Sequence, residues 1–166
     1  SKPTSGKYFY YQGHKVYIPD NIALRDYDAS LFQLDENGYM HYESDLYTST
    51  VGVDVSRYQG NIDWAQVKAS GVDFAILRLG YRGYGTGKIV LDTYFRQNIQ
   101  EAQANGIEIG VYFFSQAINE AEAVEEAQYC MDVLQDYSIT YPIVFDWEPY
   151  SNNTNARTNG LSDKML

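Results

Sequence analysis

Val51-Gly-Val-Asp-Val55, Asp73-Phe-Ala-Ile-Leu-Arg-Leu79, Ile107-Glu-Ile-Gly-Val-Tyr-Phe-Phe114 and Tyr141-Pro-Ile-Val-Phe-Asp-Trp147 are four short apolar runs of strand length. Helical signals fill the gaps between them. Ile62 to Ala69 opens on Asp63 at the N-cap with Gln66 three residues on, and Ile62 and Val67 stand at hydrophobic-staple positions. Gly71 stops that helix. Asp92 is placed to cap a second one, whose apolar face is Phe95, Ile99 and Ala102 and whose C′ residue is Gly106. A third starts at Asn119, with Glu120 and Glu122 at the positive end of its dipole and Ala123, Ala127, Cys130 and Leu134 as its buried stripe. Another is expected to begin at Leu161 and run to Leu166.

Strands and helices that alternate through short turns predict βα units, an α/β fold and a parallel sheet. Right-handed crossovers then set the strands side by side with the helices outside. A complete (β/α) barrel takes roughly 200 residues or more. This chain has 166 and ends inside its fourth crossover, so the expectation is the first half of such a barrel. Upstream the rhythm differs. Tyr8-Phe-Tyr-Tyr11, His14-Lys-Val-Tyr-Ile18 and Gly38-Tyr-Met-His-Tyr42 are aromatic or β-branched runs, separated by turn signals at Gly13 and Asn37-Gly38. Residues 1–47 are read as a small β-rich extension of two or three strands, and 48–166 as the α/β portion.

Composition narrows the function. A net charge of −10, with 12 basic against 22 acidic residues, argues against nucleic acid as a partner, since phosphate backbones are held by Lys and Arg. A neutral polymer such as a glycan can still be held by aromatic faces and hydrogen bonds. Cys130 is the single cysteine, which excludes an intrachain disulfide and leaves secretion open. No apolar window of about 18 residues exists, so no membrane span is expected. His14 and His41 lack ligand spacing, and no metal or other cofactor is expected. Gly83-Tyr-Gly-Thr-Gly87 imitates a phosphate loop, but Ile89-Val-Leu91 intervenes before any helix, so it is read as a flexible loop beside the site.

Asp146 and Glu148 carry the sharpest chemical signal. Two residues apart at a strand end, they point to the same face, within range of the paired-carboxylate geometry that hydrolyses glycosidic bonds. Carboxyls that close resist joint ionisation, so one should hold its proton at higher pH. Glu148, nearer the mouth, is the candidate general acid, with Trp147 and Tyr150 as apolar walls. Solvated strand-end acids would leave the same triplet. Asp54, flanked by Val53 and Val55, faces away from both and is expected to turn inward as a buried acid toward the pair; a turn cap is the competing role. Arg78 is expected to share an inward face with Ile76 and Gly80, there to orient a carboxylate or to form a structural ion pair. Tyr112 is inward by alternation, and Tyr58, Tyr81 and Tyr84 lie in presumed mouth loops, suited to sugar stacking or to packing.

Val51-Gly-Val-Asp-Val-Ser-Arg-Tyr-Gln-Gly60 followed by Ile62-Asp-Trp64 resembles the opening of the family 25 glycoside hydrolases, the Chalaropsis-type lysozymes. Gly71-Val-Asp-Phe-Ala-Ile-Leu-Arg78, Gly110-Val-Tyr-Phe-Phe114 and Val144-Phe-Asp-Trp-Glu-Pro149 resemble their second, third and catalytic fourth strands, in order and at compatible spacing. The resemblance implies a secreted or cell-wall-associated bacterial muramidase that cuts the β-1,4 bond between N-acetylmuramic acid and N-acetylglucosamine in peptidoglycan glycan strands. It places the general acid at Glu148 and further active-site acids at Asp54 and Asp146, with retention of configuration by double displacement or with help from the substrate's N-acetyl group. A further acid on the family's last strand has no counterpart here. Two other functions fit the same residues: a glycan-binding module without catalysis, and a chitinase-like hydrolase. The latter wants another Asp where Val144 stands.

Overall fold

The computed structural model of the chain describes residues 3–148, 154–159 and 161. Tyr150 and all but the first residue of the helix expected from Leu161 lie outside that set. Two antiparallel hairpins come first. In one, β1 (Tyr8–Tyr11) pairs with β2 (His14–Tyr17); in the other, β3 (Phe32–Leu34) pairs with β4 (Met40–Tyr42). Gln12 and Gly13 turn the first hairpin with φ of 48° and 79°, the left-handed turn whose twist matches that of the strands. Phe32–Leu34 is a strand that sequence reading missed, being too short to show a pattern. The second hairpin touches the end of a helix further on, where Asn37 donates to the Ser70 carbonyl at 3.4 Å and Tyr39 bonds the Ser70 hydroxyl at 3.3 Å.

Five strands then form one sheet: β5 (Gly52–Val55), β6 (Phe74–Arg82), β7 (Ile89–Leu91), β8 (Glu108–Ser115) and β9 (Ile143–Trp147). Its order is β5-β6-β8-β9, with each neighbouring pair parallel. The expected parallel α/β sheet is present with one correction. β7 is an antiparallel strand folded back on the end of β6, and Gly83–Gly87 is the tight turn between them. In that turn Gly87 N–H donates to the Gly83 carbonyl at 2.8 Å, so the segment is a hydrogen-bonded hairpin turn and not an open loop.

Three helices pack on one face. In α1 (Trp64–Ala69), the Asp63 carboxylate accepts from Gln66 N–H at 3.1 Å and from the Gln66 side-chain amide at 3.0 Å. α2 (Phe95–Ala104) ends as expected: Ile107 N–H donates to the Ala102 carbonyl and Gly106 N–H to that of Gln103, the pattern a left-handed Gly106 allows. Its start is different. Tyr94 holds the cap position, and Asp92 is a fully buried acid that accepts from Tyr94 N–H on the way in. α3 (Glu120–Leu134) is capped by Asn119, which accepts from Glu122 N–H at 3.0 Å. Its stripe is corrected as well. Ala127 is exposed and Glu126 is buried in its place, because Arg82 reaches across from β6 and donates to Glu126 and Glu125 at 2.6 Å each.

The core lies between helices and sheet. Val55, Ala75, Leu77, Leu79, Ile109, Val111 and Phe113 supply the sheet side; Trp64, Phe95, Ile99, Ala102, Cys130 and Leu134 supply the helix side. Within β5, β6 and β8, alternate residues face away from this core, and those positions carry Asp54, Ile76, Arg78, Gly110 and Tyr112. One irregularity matters. β6 holds an extra residue between the pairs Arg78↔Tyr112 and Gly80↔Phe113, which shifts the remainder of the strand by one position. Gly80 therefore sits opposite Phe113 and not on the face of Arg78, whereas Tyr81 pairs with Phe114.

Gly110 allows a close approach on the open face. A Cβ there would lie 2.7 Å from both Ile76 Cδ1 and Tyr141 Cβ, and 2.9 Å from the Pro142 carbonyl oxygen. Gly110→Ala should cost about 1–3 kcal/mol through overpacking. Urea unfolding should show a lower midpoint at unchanged slope; an unchanged midpoint would mean the strand edges shift freely.

Candidate active site

Four strand ends bring the site together. Asp54 lies on β5, Arg78 and Tyr81 on β6, Tyr112 on β8, Asp146 on β9, and Glu148 comes directly after β9. Asp54, Ile76, Tyr112, Val144, Asp146 and Glu148 line one open hollow of about 380 Å³, together with Phe145 and Trp147. The pleat explains the selection, since Val144, Asp146 and Glu148 alternate onto the same face. Below it, Phe74 stacks on Tyr141 with ring centres 4.3 Å apart and planes 8° from parallel.

The acids have different surroundings. Asp54, expected to be buried, is exposed, because among the described residues no element covers this face of the sheet. Asp146 is partly buried, and that burial, then the charges of Glu148 and Asp54, push its carboxyl above the usual range. Asp146 and Glu148 also share a side-chain hydrogen bond, which adds to the upward push on Asp146. The shift expected on one of the two carboxyls thus falls on Asp146. Tyr112 lies among these groups, with its phenol pushed up to about 12 by burial and by Asp54, and its side chain hydrogen-bonded to Ser56.

Arg78 and Asp92 form the charged anchor beneath. Both are buried, and Asp92 Oδ2 accepts from Arg78 Nε at 2.7 Å and lies 2.6 Å from Nη2. The same oxygen accepts Arg57 N–H at 3.1 Å, which ties the loop after β5 to the start of α2. Of the two roles open to Arg78, the ion pair is the one present. Asp92 was missed as a site residue because its sequence signal, an acid before a helix, reads as an ordinary cap. Tyr58 sits beside Arg57 in a 3-10 turn (Arg57–Gln59) and is 74% exposed. Tyr81 lies on a strand, not in a loop. The Arg57 and Arg78 guanidiniums lie within 5.2–5.5 Å of the Tyr58 and Tyr81 ring centres.

Gln116 was also missed. Fully buried just past β8, it donates to the Glu148 carbonyl at 2.6 Å and accepts from the Thr158 hydroxyl at 2.9 Å. Trp147 Nε1 donates to the Ala117 carbonyl at 3.0 Å, so the Trp147 side chain and the Glu148 carbonyl are both held from the neighbouring strand end. The available signal for Gln116 was an uncharged polar residue at the C-terminal end of an apolar strand, which is too common to single out.

A family model described as glycosyl hydrolases family 25 matches residues 53–166, and the chain belongs to that family. Lysozyme M1 of Streptomyces globisporus is 33% identical over 118 residues, covering 69% of this chain and 37% of that protein. Among solved structures, the bacterial lysozyme from Streptomyces coelicolor is 29% identical with a TM-score of 0.52, covering 72% of this chain and 53% of that one. The modular autolysin LytC from Streptococcus pneumoniae, solved with a synthetic peptidoglycan ligand, is 26% identical with a TM-score of 0.57 and covers 75% and 30%. The chain thus spans 30–53% of the length of these relatives.

Two outcomes test the electrostatics. Asp92→Ala leaves Arg78 buried without its counter-charge and should destabilise by about 3–5 kcal/mol, whereas an apolar pair at 78 and 92 should recover most of that loss. Thermal unfolding of the single and double variants measures both, and an Asp92→Ala protein as stable as wild type contradicts the anchor role. For Asp146 the sign runs the other way from an ordinary ion-paired acid. Its folded pKa is raised, so the contribution of Asp146 to stability falls as pH rises from the unfolded value of 3.8 through the folded one. Asp146→Asn should therefore raise the melting temperature at pH 7 and change it little at pH 3, a contrast that melting curves at both values report.

Proposed function

We propose that this chain carries the acid group of a peptidoglycan hydrolase that cuts the β-1,4 bond between N-acetylmuramic acid and N-acetylglucosamine. The observation that carries the proposal is the convergence of Asp54, Tyr112, Asp146 and Glu148 on one sugar-sized hollow in a family 25 chain. Glu148, an exposed residue in the lining of the hollow, acts as general acid, donating its proton to the glycosidic oxygen as the C1–O bond breaks. Asp146 acts in its carboxylate form, which it reaches at a higher pH than an ordinary aspartate. It and Asp54 face the positive charge that develops on the sugar ring, and Asp146 either bonds to C1 or orients the substrate's N-acetyl group to do so. Tyr112 keeps its proton through the physiological range and serves as a hydrogen-bond donor between the two acids. Arg78 orients this face from below through its pair with Asp92. Tyr58 and Tyr81, and by sequence position Tyr150, offer aromatic faces to sugar rings.

The matched family segment supports a division of the chain into an extension through residue 47 and a catalytic portion from residue 48, arranged as the first half of a (β/α) barrel. Peptidoglycan as substrate places the protein outside the cell or at the wall. Among the described residues no helix is long and apolar enough to cross a membrane. A binding module without catalysis is the second function that the same open hollow could serve. A chitinase-like reaction is disfavoured, because Val144 lines the hollow where that chemistry wants an acid.

Purified cell walls separate the two. Wild type should release new reducing ends, and Glu148→Gln should lower that rate by about 10²–10⁴-fold while wall binding persists. If both proteins bind walls and neither releases reducing ends, the chain is a binding module.

A further inference from the structure

A substrate with carboxylates poses a problem for this cleft. Asp54, Asp146 and Glu148 line it, and the whole chain carries a net charge of −10, so an anionic glycan meets repulsion on approach. Most of the well-placed arginines cannot answer it. Arg78 is neutralised by Asp92, Arg82 by Glu125 and Glu126, and Arg157 by Glu122, with N–O distances of 2.6 Å in every case.

Arg57 differs. Its side chain is exposed, and among the described residues it forms no ion pair within 4.0 Å. It stands three residues past Asp54, next to Ser56, whose side chain bonds the cleft residue Tyr112. Its placement is built and not incidental. Ser56 and Gln59 form a reciprocal capping box that sets the 3-10 turn, and the Arg57 backbone N–H is fastened to buried Asp92. The guanidinium lies 5.2 Å from the Tyr58 ring centre and 5.5 Å from that of Tyr81, and it donates to the Tyr58 hydroxyl. Aromatic rings fix the plane of an arginine without neutralising its charge, which leaves donors free for a planar anion.

We propose that Arg57, held between Tyr58 and Tyr81, is a specificity-determining residue that binds a carboxylate carried by the glycan next to the cleaved bond. This rests on the peptidoglycan reading above and deepens it. Two parts of a muramyl unit offer such a group: the lactyl ether on the sugar, and the acidic residues of an attached stem peptide. Both present the same planar carboxylate to the guanidinium fork, and both are absent from a neutral N-acetylglucosamine oligomer. The site makes Arg57 the counter-charge that lets an acid-lined cleft accept an acidic polymer.

Calorimetric titration of the whole chain with three soluble probes tests this. The first is N-acetylglucosaminyl-N-acetylmuramic acid with a free lactyl carboxylate. The second is the same disaccharide with the lactyl group converted to a neutral amide. The third carries an L-Ala-D-Glu peptide on the lactyl group, so that carboxylates stand only on the peptide. Wild type should bind at least one anionic probe about tenfold more tightly than the neutral amide, a preference of the size of a charge-assisted hydrogen bond. Which anionic probe gains identifies the source. Arg57→Gln should erase the preference, Arg57→Lys should keep part of it, and raised salt should shrink it in wild type. Equal binding of charged and neutral probes by wild type, or a preference that survives in Arg57→Gln, overturns the role of Arg57 and leaves the glycan cleft standing. If wild type binds none of the three and cuts no wall, the peptidoglycan reading fails and this proposal fails with it.

Discussion

Successive side chains of a pleated strand leave opposite faces, and three parallel pairings hold four strands in register so that the faces agree from β5 through β9. That constraint sorts the molecule. Val53, Val55, Leu77, Val111 and Phe113 go under the helices, and the residues between them have nowhere to go but the open face. Burying the first set is what stabilises the sheet, at about 25 cal/mol per Å² of apolar surface. The acids are carried to one place as a consequence. A one-residue slip of β9 would turn Asp146 toward the core side and away from the other acids, which is why packing and chemistry cannot be adjusted separately here.

Charge buried in the fold is handled by pairing, and the pairs also set positions. Asp92 satisfies Arg78, the Arg57 backbone and the Tyr94 backbone at once, so one carboxylate fixes a strand end, the loop after β5 and the start of α2. Arg82 does similar service higher on β6, where it joins the β6–β7 turn through the Gly87 carbonyl to α3 through Glu125 and Glu126. These pairs add little net stability over well-packed apolar groups. What they provide is a defined geometry on either side of a cleft whose own acids repel one another. Among the described residues Arg78 forms an ion pair and Arg57 does not, a contrast within one aromatic cluster that comes from which guanidinium the Asp92 carboxylate reaches.

Much of the fold and part of the site were legible from residue spacing. The four parallel strands, the Asp63 and Asn119 caps and the Gly106 helix end all obey local rules that operate within a few residues. Asp54, Asp146 and Glu148 were visible because alternation with apolar neighbours is a local pattern, and Arg78 and Tyr112 for the same reason. The errors came from long-range demands. Asp92 looked like a cap until Arg78 claimed it from 14 residues away. Ala127 looked buried until Arg82 drew Glu126 inward from 44 residues away. The extra residue in β6 moved Gly80 off the expected face, and no turn or charge signal marks it.

The amino-acid sequence alone determined the four parallel strands, the three helices between them and which side chains of a regular strand share a face, because those depend on backbone periodicity and neighbouring residues. Only the tertiary structure decided which acid of the pair has its carboxyl pushed up, which arginine is neutralised and which has no ion pair among the described residues, and that Gln116 braces the Glu148 backbone. Those outcomes depend on distances and burial between residues far apart in the chain, and electrostatic energy in a protein varies with both.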